Sequence, residues 1–225
     1  MQNFGQQTQT TAALLYDLQQ SLLQIKTCND VNGSNAKEII NNISSHGLAQ
    51  LHYALFALES SQQELQFTSV SAAAALYDVQ QELLPLAKAY GATINFEASA
   101  HLDPVYCNKT SLKGSIYSLV AGIISGSARG SRADITVTVQ QTKPNMQRVG
   151  IYSANTKLST TFTQANKSPK VMRMVKPTKS SASGLGFTVA NLLAQRNRVQ
   201  YELFTHKNQS GVGFYVPQSL QMQIV

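Results

Sequence analysis

The feature that most constrains the fold is a glycine turn that opens directly into an apolar helix. Residues 183–193 read Ser-Gly-Leu-Gly-Phe-Thr-Val-Ala-Asn-Leu-Leu, with Gly184 and Gly186 at the turn. Glycine permits tight turning and close backbone approach, and the free N–H groups at a helix start suit an anion. An ordinary turn before a core helix has the same pattern. Two strands follow, over 201–205 and 211–217, with a turn between them at 207–210.

The middle of the chain alternates between strand and helix patterns. These patterns predict strands over 65–70, 92–96, 105–107, 135–139 and 148–152, and helices over 71–90 and 110–125. Residues 155–183 show no strong period and contain Pro169 and Pro177, so we expect a loop that is a functional lid or disordered. With 225 residues, 43% of them hydrophobic, the chain has room for one large or two small domains.

The N-terminal part predicts a helical hairpin. After about ten Gln-rich residues that we expect to fray, a heptad seam begins, made of Leu15, Leu18, Leu22 and Ile25. Residues 29–35 stop this helix, and Ser34 or Asn35 caps the next one. The apolar positions that we expect the second helix to turn inward are Ile40, Ile43, Gly47, Leu51, Leu55 and Leu58. One hairpin cannot bury both apolar faces, so we expect a homodimer with a four-helix bundle.

A helical hairpin followed by an α/β unit with a glycine turn, helix and terminal hairpin resembles the catalytic core of bacterial sensor histidine kinases. The resemblance covers residues 11–217. It implies an α+β fold, in which a hairpin dimerisation domain over 1–64 precedes a histidine-kinase ATPase-like α/β sandwich over 65–225. The alternative is an unrelated α/β domain that carries a helical hairpin.

The resemblance places Tyr16 at the phosphoacceptor position. Active members carry His-Glu-Leu-Arg-Thr-Pro-Leu-x-x-Ile, and residues 16–25 here read Tyr-Asp-Leu-Gln-Gln-Ser-Leu-Leu-Gln-Ile. A phenol titrates near ~10 and is a weak nucleophile at neutral pH. Ser21 stands where the family has its helix-bending proline. We therefore expect no catalytic residue at this position.

The nucleotide-binding motifs have also lost their chemistry. Ser118, Gly122 and Ser125 stand where the family's nucleotide-binding helix has two asparagines and a lysine, and glycine offers Mg²⁺ no side-chain ligand. Residues 153–157 read Ser-Ala-Asn-Thr-Lys where the family has Asp-x-Gly-x-Gly. Only Gly184 and Gly186 remain, as a vestigial phosphate loop. We expect neither a cofactor nor a metal ion.

This pattern predicts a degenerate histidine kinase: a dimeric scaffold or regulator in two-component signalling, without ATP hydrolysis or autophosphorylation. The resemblance implies that a response-regulator receiver or another histidine kinase docks near Asp17, Gln20, Ser21 and Gln24. The alternative is a histidine phosphotransferase with His52 or His46 as a displaced acceptor, although both also suit surface histidines without a special role.

The net charge of +7 is unevenly distributed. Residues 129–179 carry ten basic side chains against Asp134 alone, and a three-residue repeat in this region comprises Lys167, Lys170, Arg173, Lys176 and Lys179. A weaker alternative is therefore anion or nucleic-acid binding through 129–179. Nucleic acid is not the expected partner, because no aromatic residues alternate with the basic ones. Without a membrane-length apolar run, signal peptide or metal-type cysteine spacing, we expect a cytoplasmic location.

Overall fold

The computed structural model describes Ile25 and residues 36–59, 65–126, 132–153, 184–207 and 209–219. Within these ranges the helices are α1 (Ala36–Glu59), α2 (Ala72–Tyr90), α3 (Lys109–Gly126) and α4 (Gly184–Arg196). The strands are β1 (Thr68–Val70), β2 (Thr93–Ala98), β3 (Val105–Cys107), β4 (Asp134–Lys143), β5 (Met146–Ser153), β6 (Glu202–His206) and β7 (Gln209–Pro217). The α+β class predicted from the sequence is confirmed for this part of the chain, while the first helix of the hairpin lies outside it.

Five of the strands form one mixed sheet in the order β2-β4-β5-β7-β6. β2 and β4 are parallel, and the other neighbours are antiparallel. β1 and β3 form a separate antiparallel pair. An isolated bridge between Val105 and Gln218 connects this pair to the end of β7.

The boundaries of α2 follow the sequence signals closely. The Ser71 hydroxyl caps the helix start by accepting a hydrogen bond from the Ala74 amide at 3.2 Å. Gly91 ends the helix with φ at 63°, a left-handed conformation that glycine adopts at no steric cost. The helix predicted over 71–90 is confirmed.

α3 is the central helix of the molecule. Every residue from 114 to 124 is buried, so the helix has no solvent-facing stripe along this stretch. It contacts α1, α2 and α4, and its apolar side chains belong to the same core as the inward side chains of β4, β5 and β7. The surface of α3 is therefore occupied by neighbouring elements on all sides.

α1 lies against the other three helices through a face that the sequence indicated only in part: Ile43, expected inward, is 4% exposed. Leu55, expected inward, is 45% exposed, while Tyr53, Ala54 and Ala57 join the common core. The reason is steric: the two alanines permit a close helix approach, and the Tyr53 ring fills the space left by Gly114, whose added Cβ would lie only 2.9 Å from Tyr53 Cε1. Leu51 and Leu58 pack at the edge of this contact.

The five-stranded sheet has two unlike faces. The face towards the helices carries Ile135, Val137, Val139, Val149, Ile151, Val212, Phe214 and Val216, all of them buried. Because side chains alternate along a strand, the opposite face carries Thr138, Arg148, Gly150, Tyr152, Phe204, His206, Gly211, Gly213 and Tyr215. We call this second surface the open face.

The sheet curls around its open face. β2 and β6 are the two edge strands, yet the Lys207 ammonium group lies 3.1 Å from the Glu97 carboxylate, and His206 Nε2 lies 3.7 Å from it. The two edges therefore approach each other across the open face.

Candidate functional site

The positions where the resemblance places nucleotide-binding side chains lie on α3, facing α4. The Ser118 side chain is fully buried, and its hydroxyl has no hydrogen-bond partner. Gly122, one turn further along, is also buried. The Ser125 hydroxyl donates back to the Ala121 carbonyl at 2.9 Å, within its own helix. Ser118 and Gly122 therefore direct no ligand atom towards solvent, and the half-buried Ser125 hydroxyl is engaged within its own helix.

The glycine turn packs directly on this part of α3. A Cβ added to Gly186 would lie 2.8 Å from Gly122 Cα and 3.2 Å from Gly122 N, and it would overlap the Ser118 carbonyl. Real Cβ atoms do not approach this closely, so Gly186 is required for backbone-to-backbone contact. The helix predicted after the glycines is present, but α4 already begins at Gly184, so Gly184 and Gly186 lie in its first turn rather than in a turn before it.

The resemblance places Ser153 at the position of the family's adenine-binding aspartate. It is the last residue of β5, pairs with Ile135 of β4 and is buried. Its side chain is a neutral hydroxyl, which cannot supply the ionised acceptor of an aspartate. Residues 154–183, which include the rest of this motif and the basic repeat, lie outside the described residues.

The two candidate histidines of α1 have different environments. His52 is exposed, as expected, and its ring packs edge-on against that of Tyr53. His46 is not a surface histidine, because its Nδ1 lies 3.0 Å from the Tyr117 hydroxyl of α3 and its ring is largely covered. Burial lowers the pKa of His46 to about 4. The ring is therefore neutral at physiological pH.

A polar network that the sequence did not reveal joins α1 to α2 and α3. The Tyr53 hydroxyl donates to Glu82 at 3.1 Å, and Lys113 lies 2.9 Å from Glu82 and 3.4 Å from Asp78. Burial opposes the charge of Lys113, but the two carboxylates outweigh this and raise its pKa. At the other end of α1, Lys88 pairs with Glu38 at 2.7 Å. The spacing of Asp78 and Glu82 on one helix face is the only sequence signal for this network.

His206, which the sequence places in a loop, ends strand β6. Its ring lies 5.1 Å from that of Tyr152, centroid to centroid. The strand extends one residue further than its apolar residues indicate, which brings His206 onto the open face.

Tyr16 at the phosphoacceptor position lies outside the described part of the chain, as do the predicted docking residues Asp17, Gln20, Ser21 and Gln24. Leu48, one heptad before Leu55 on α1, is 68% exposed. In the ranges that the structure covers, no cluster of three or more His, Cys, Asp or Glu side chains could bind a metal ion. Over the same ranges, none of the helices combines the length and apolarity that a membrane span requires.

Comparisons with known proteins identify the fold. The nucleotide-free catalytic domain of the histidine kinase ThkA matches 68% of this chain over 97% of its own length, with a TM-score of 0.53 and 16% identity. The histidine kinase AdeS of Acinetobacter baumannii matches 91% of this chain over 98% of its length, with a TM-score of 0.55 and 12% identity. ThkA in complex with the response regulator TrrA matches 94% of this chain over 61% of its own, with a TM-score of 0.57 and 16% identity.

No protein-family profile and no curated protein sequence matches this chain. At identities of 12–16% the structural likeness establishes the fold alone. The chain has the fold of a bacterial histidine kinase catalytic domain.

Proposed function

We propose that this chain is a catalytically inactive histidine-kinase-like protein that acts as a dimeric scaffold or regulator in two-component signalling. The scaffold of the fold is retained, whereas the side chains that perform nucleotide chemistry are replaced. The phosphoacceptor position holds Tyr16, and Ser118, Gly122 and Ser153 occupy nucleotide-binding positions.

One observation carries the proposal: the close packing of the glycine turn on α3. In a nucleotide-binding member, phosphates and Mg²⁺ need accessible side-chain oxygen atoms at this junction. Here Ser118 is fully buried, and the backbone of Gly186 occupies the space next to Gly122. Weak contact of an anion with the α4 N-terminus is the only remaining phosphate interaction that this arrangement favours.

Calorimetry with Mg·ATP tests this part of the proposal. We expect no saturable heat at millimolar nucleotide, because Ser153 offers the adenine no ionised acceptor and Gly122 offers Mg²⁺ no side-chain ligand. An active histidine kinase domain in the same buffer is the control for the assay. A micromolar dissociation constant for this chain would contradict the assignment.

The exposed face of α1 supports the proposed homodimer. Leu48 and Leu55 lie one heptad apart, 68% and 45% exposed, in positions typical of a helix–helix seam. We expect Leu48→Glu to convert a dimer to a monomer in light scattering. The matched control is Tyr77→Glu on α2, because Tyr77 is 61% exposed but lies outside the predicted hairpin. A wild-type monomer at tens of micromolar would contradict the bundle.

A receiver domain is the proposed partner. The structural neighbour ThkA is seen with a response regulator, and we infer the same class of partner for this chain. Docking would use the region of Asp17, Gln20, Ser21 and Gln24, where polar side chains flank the leucines of the first helix. We expect binding without phosphoryl transfer, since Tyr16 supplies no imidazole in line with an aspartyl phosphate.

Histidine phosphotransfer is the second candidate, and the exposure of His52 favours it over His46. His46 is engaged by Tyr117, whereas the His52 ring is accessible on α1. Incubation with a phosphorylated receiver, followed by an assay for acid-labile phosphate on this chain, separates the two functions. Label that appears and is lost in His52→Ala would replace the scaffold by the phosphotransferase. Label that never appears, with receiver binding retained, supports the scaffold.

A further inference from the structure

Two opposite faces of α1 differ in their side chains and in what covers them. The outward face has Leu48 and Leu55, which are 68% and 45% exposed. The other face joins the core of the α/β domain, which comprises α2 to β7, through Tyr53, Ala54 and Ala57. Two of these three residues are alanines, which bury little apolar area. The attachment of α1 to the domain must therefore depend on a few specific contacts.

The Tyr53 side chain is held both at its ring and at its hydroxyl. The ring lies in the space that Gly114 leaves on α3, where an added Cβ would lie 2.9 Å from Tyr53 Cε1 and 2.7 Å from Leu193 Cδ1 of α4. The hydroxyl donates to Glu82 of α2 at 3.1 Å, and the Lys113 ammonium group lies 2.9 Å from the same carboxylate. One side chain of α1 is thus fixed to α2 and α3 at once.

His46 provides a second point of attachment. Its Nδ1 lies 3.0 Å from the hydroxyl of Tyr117, a buried residue of α3. His46 and Tyr53 are seven residues apart, which is about 10 Å along a helix. Two attachments at that separation oppose both rotation of α1 about its axis and sliding along it, because either movement breaks both contacts. The exposed pair of Glu38 and Lys88 near the start of α1 adds little to them.

We propose that α1 is locked to the α/β domain through Tyr53 and His46, so that α1 and the domain move as one rigid body. The domain boundary that the sequence predicts after residue 64 is then not a hinge. The lock is intramolecular, so it does not depend on the homodimer or the receiver of the proposed function. It adds to that function, because a partner bound on the hairpin would always meet the domain in the same orientation.

Labelling of a thiol on the buried face of α1 tests the lock in the full chain. In Ala57→Cys the new thiol replaces a side chain that is 1% exposed, and the native Cys107, buried in the domain, is the internal reference. Cys28 is replaced by serine in every variant. A small maleimide is added under native conditions, and mass spectrometry follows both sites. We expect the two thiols to react at rates within about tenfold of each other, because both become accessible only when the domain unfolds.

Two variants that remove the lock make the test specific. Tyr53→Ala should accelerate the reaction at position 57 by at least roughly a hundredfold, since truncation of a buried aromatic side chain is among the costliest core changes. Gly114→Ala should act in the same direction, because the added Cβ takes the place of the ring. In both variants the reaction of Cys107 should change much less, which shows that the domain remains folded.

The matched control is Tyr77→Ala on α2. Tyr77 is also a helical tyrosine, but it is 61% exposed, so its removal should leave the reaction rates of both thiols unchanged.

Three results would overturn the lock. The first is a thiol at position 57 that reacts far faster than Cys107 in the otherwise unchanged chain. The second is a Tyr53→Ala variant in which the reaction at position 57 keeps its slow rate. The third is protection of position 57 that is lost on dilution, since a second copy of the chain would then supply it. A wild-type monomer in which position 57 stays protected contradicts the proposed homodimer but supports the lock.

Discussion

The two faces of the five-stranded sheet differ in their side chains and in what covers them. The face towards the helices carries aliphatic side chains and is covered by α2, α3 and α4. α1 packs on the outside of these three helices. The open face is built from glycines, aromatic rings and charged side chains, and much of its cover is supplied by its own rings, such as Tyr152 resting on Gly150 and Gly211. The contrast indicates that the face towards the helices, which we call the helical side, determines folding, whereas the open face contributes less to it.

Removing a buried methyl-rich side chain on the helical side should give the largest effect. Ile123 of α3 is fully buried, so Ile123→Ala loses both transfer free energy and packing, about 2–5 kcal/mol of unfolding free energy. Urea unfolding followed by circular dichroism measures it. The matched control is Leu203→Ala on edge strand β6, where the side chain is 48% exposed and the change should stay within about 0.5 kcal/mol. Equal losses at the two sites would remove the distinction between core and periphery.

The free energy of unfolding should depend on pH through His46 of α1, the outermost of the four helices. Its pKa in the folded protein is about 4, below the unfolded value of 6.5, so folding favours the neutral ring. This preference contributes to the free energy of unfolding above pH 6.5. The contribution is lost as the pH falls from 6.5 towards 4, because the unfolded chain binds the proton more tightly, and the loss reaches roughly 3 kcal/mol.

Urea midpoints at a series of pH values test this expectation. His46→Gln should flatten the curve between pH 6.5 and 4 relative to the wild type. His52→Gln is the control, because the exposed ring of His52 should leave the curve unchanged. An unchanged slope in His46→Gln would show that other groups cause the acid sensitivity.

The smallest effect should come from the ion pair at the rim of the open face. Lys207 is largely exposed and Glu97 is half-exposed, so Lys207→Met should cost no more than about 1 kcal/mol. Hydrogen exchange of the β2 and β6 amides is more sensitive than the stability measurement. We expect exchange to accelerate in the variant, because the ion pair between the two edge strands is lost. Lys88→Met, which removes an exposed pair on the helical side, should leave these amides unaffected.

The sequence predicted the elements better than the contacts between them. The caps of α2 and the glycine start of α4 could be read directly, because each depends on a local backbone requirement. The inward face of α1 could be read only in part: Ile43 is buried as expected, but burial of Tyr53 in place of Leu55 depends on the space that Gly114 leaves, far away in sequence.

For the candidate sites too, the sequence indicates what depends on neighbouring residues and not what depends on distant ones. The proposed replacement of nucleotide-binding side chains comes from the sequence, because the resemblance places those positions in contiguous motifs. The contact of His46 with Tyr117 could not be read, because the two residues are widely separated and meet only through the packing of α1 on α3. His206 also lacked a signal, since its place on the open face depends on one extra residue of strand.

The curl of the sheet also affects how the molecule resists self-association. An edge strand with unpaired backbone groups is a template for strand addition from another chain, and proteins protect such edges with charged side chains. Here the two edges face each other and share the Glu97 carboxylate with Lys207 and His206. An incoming strand must displace the Lys207–Glu97 pair before it can bind at either edge, so these side chains help to protect both edges from aggregation.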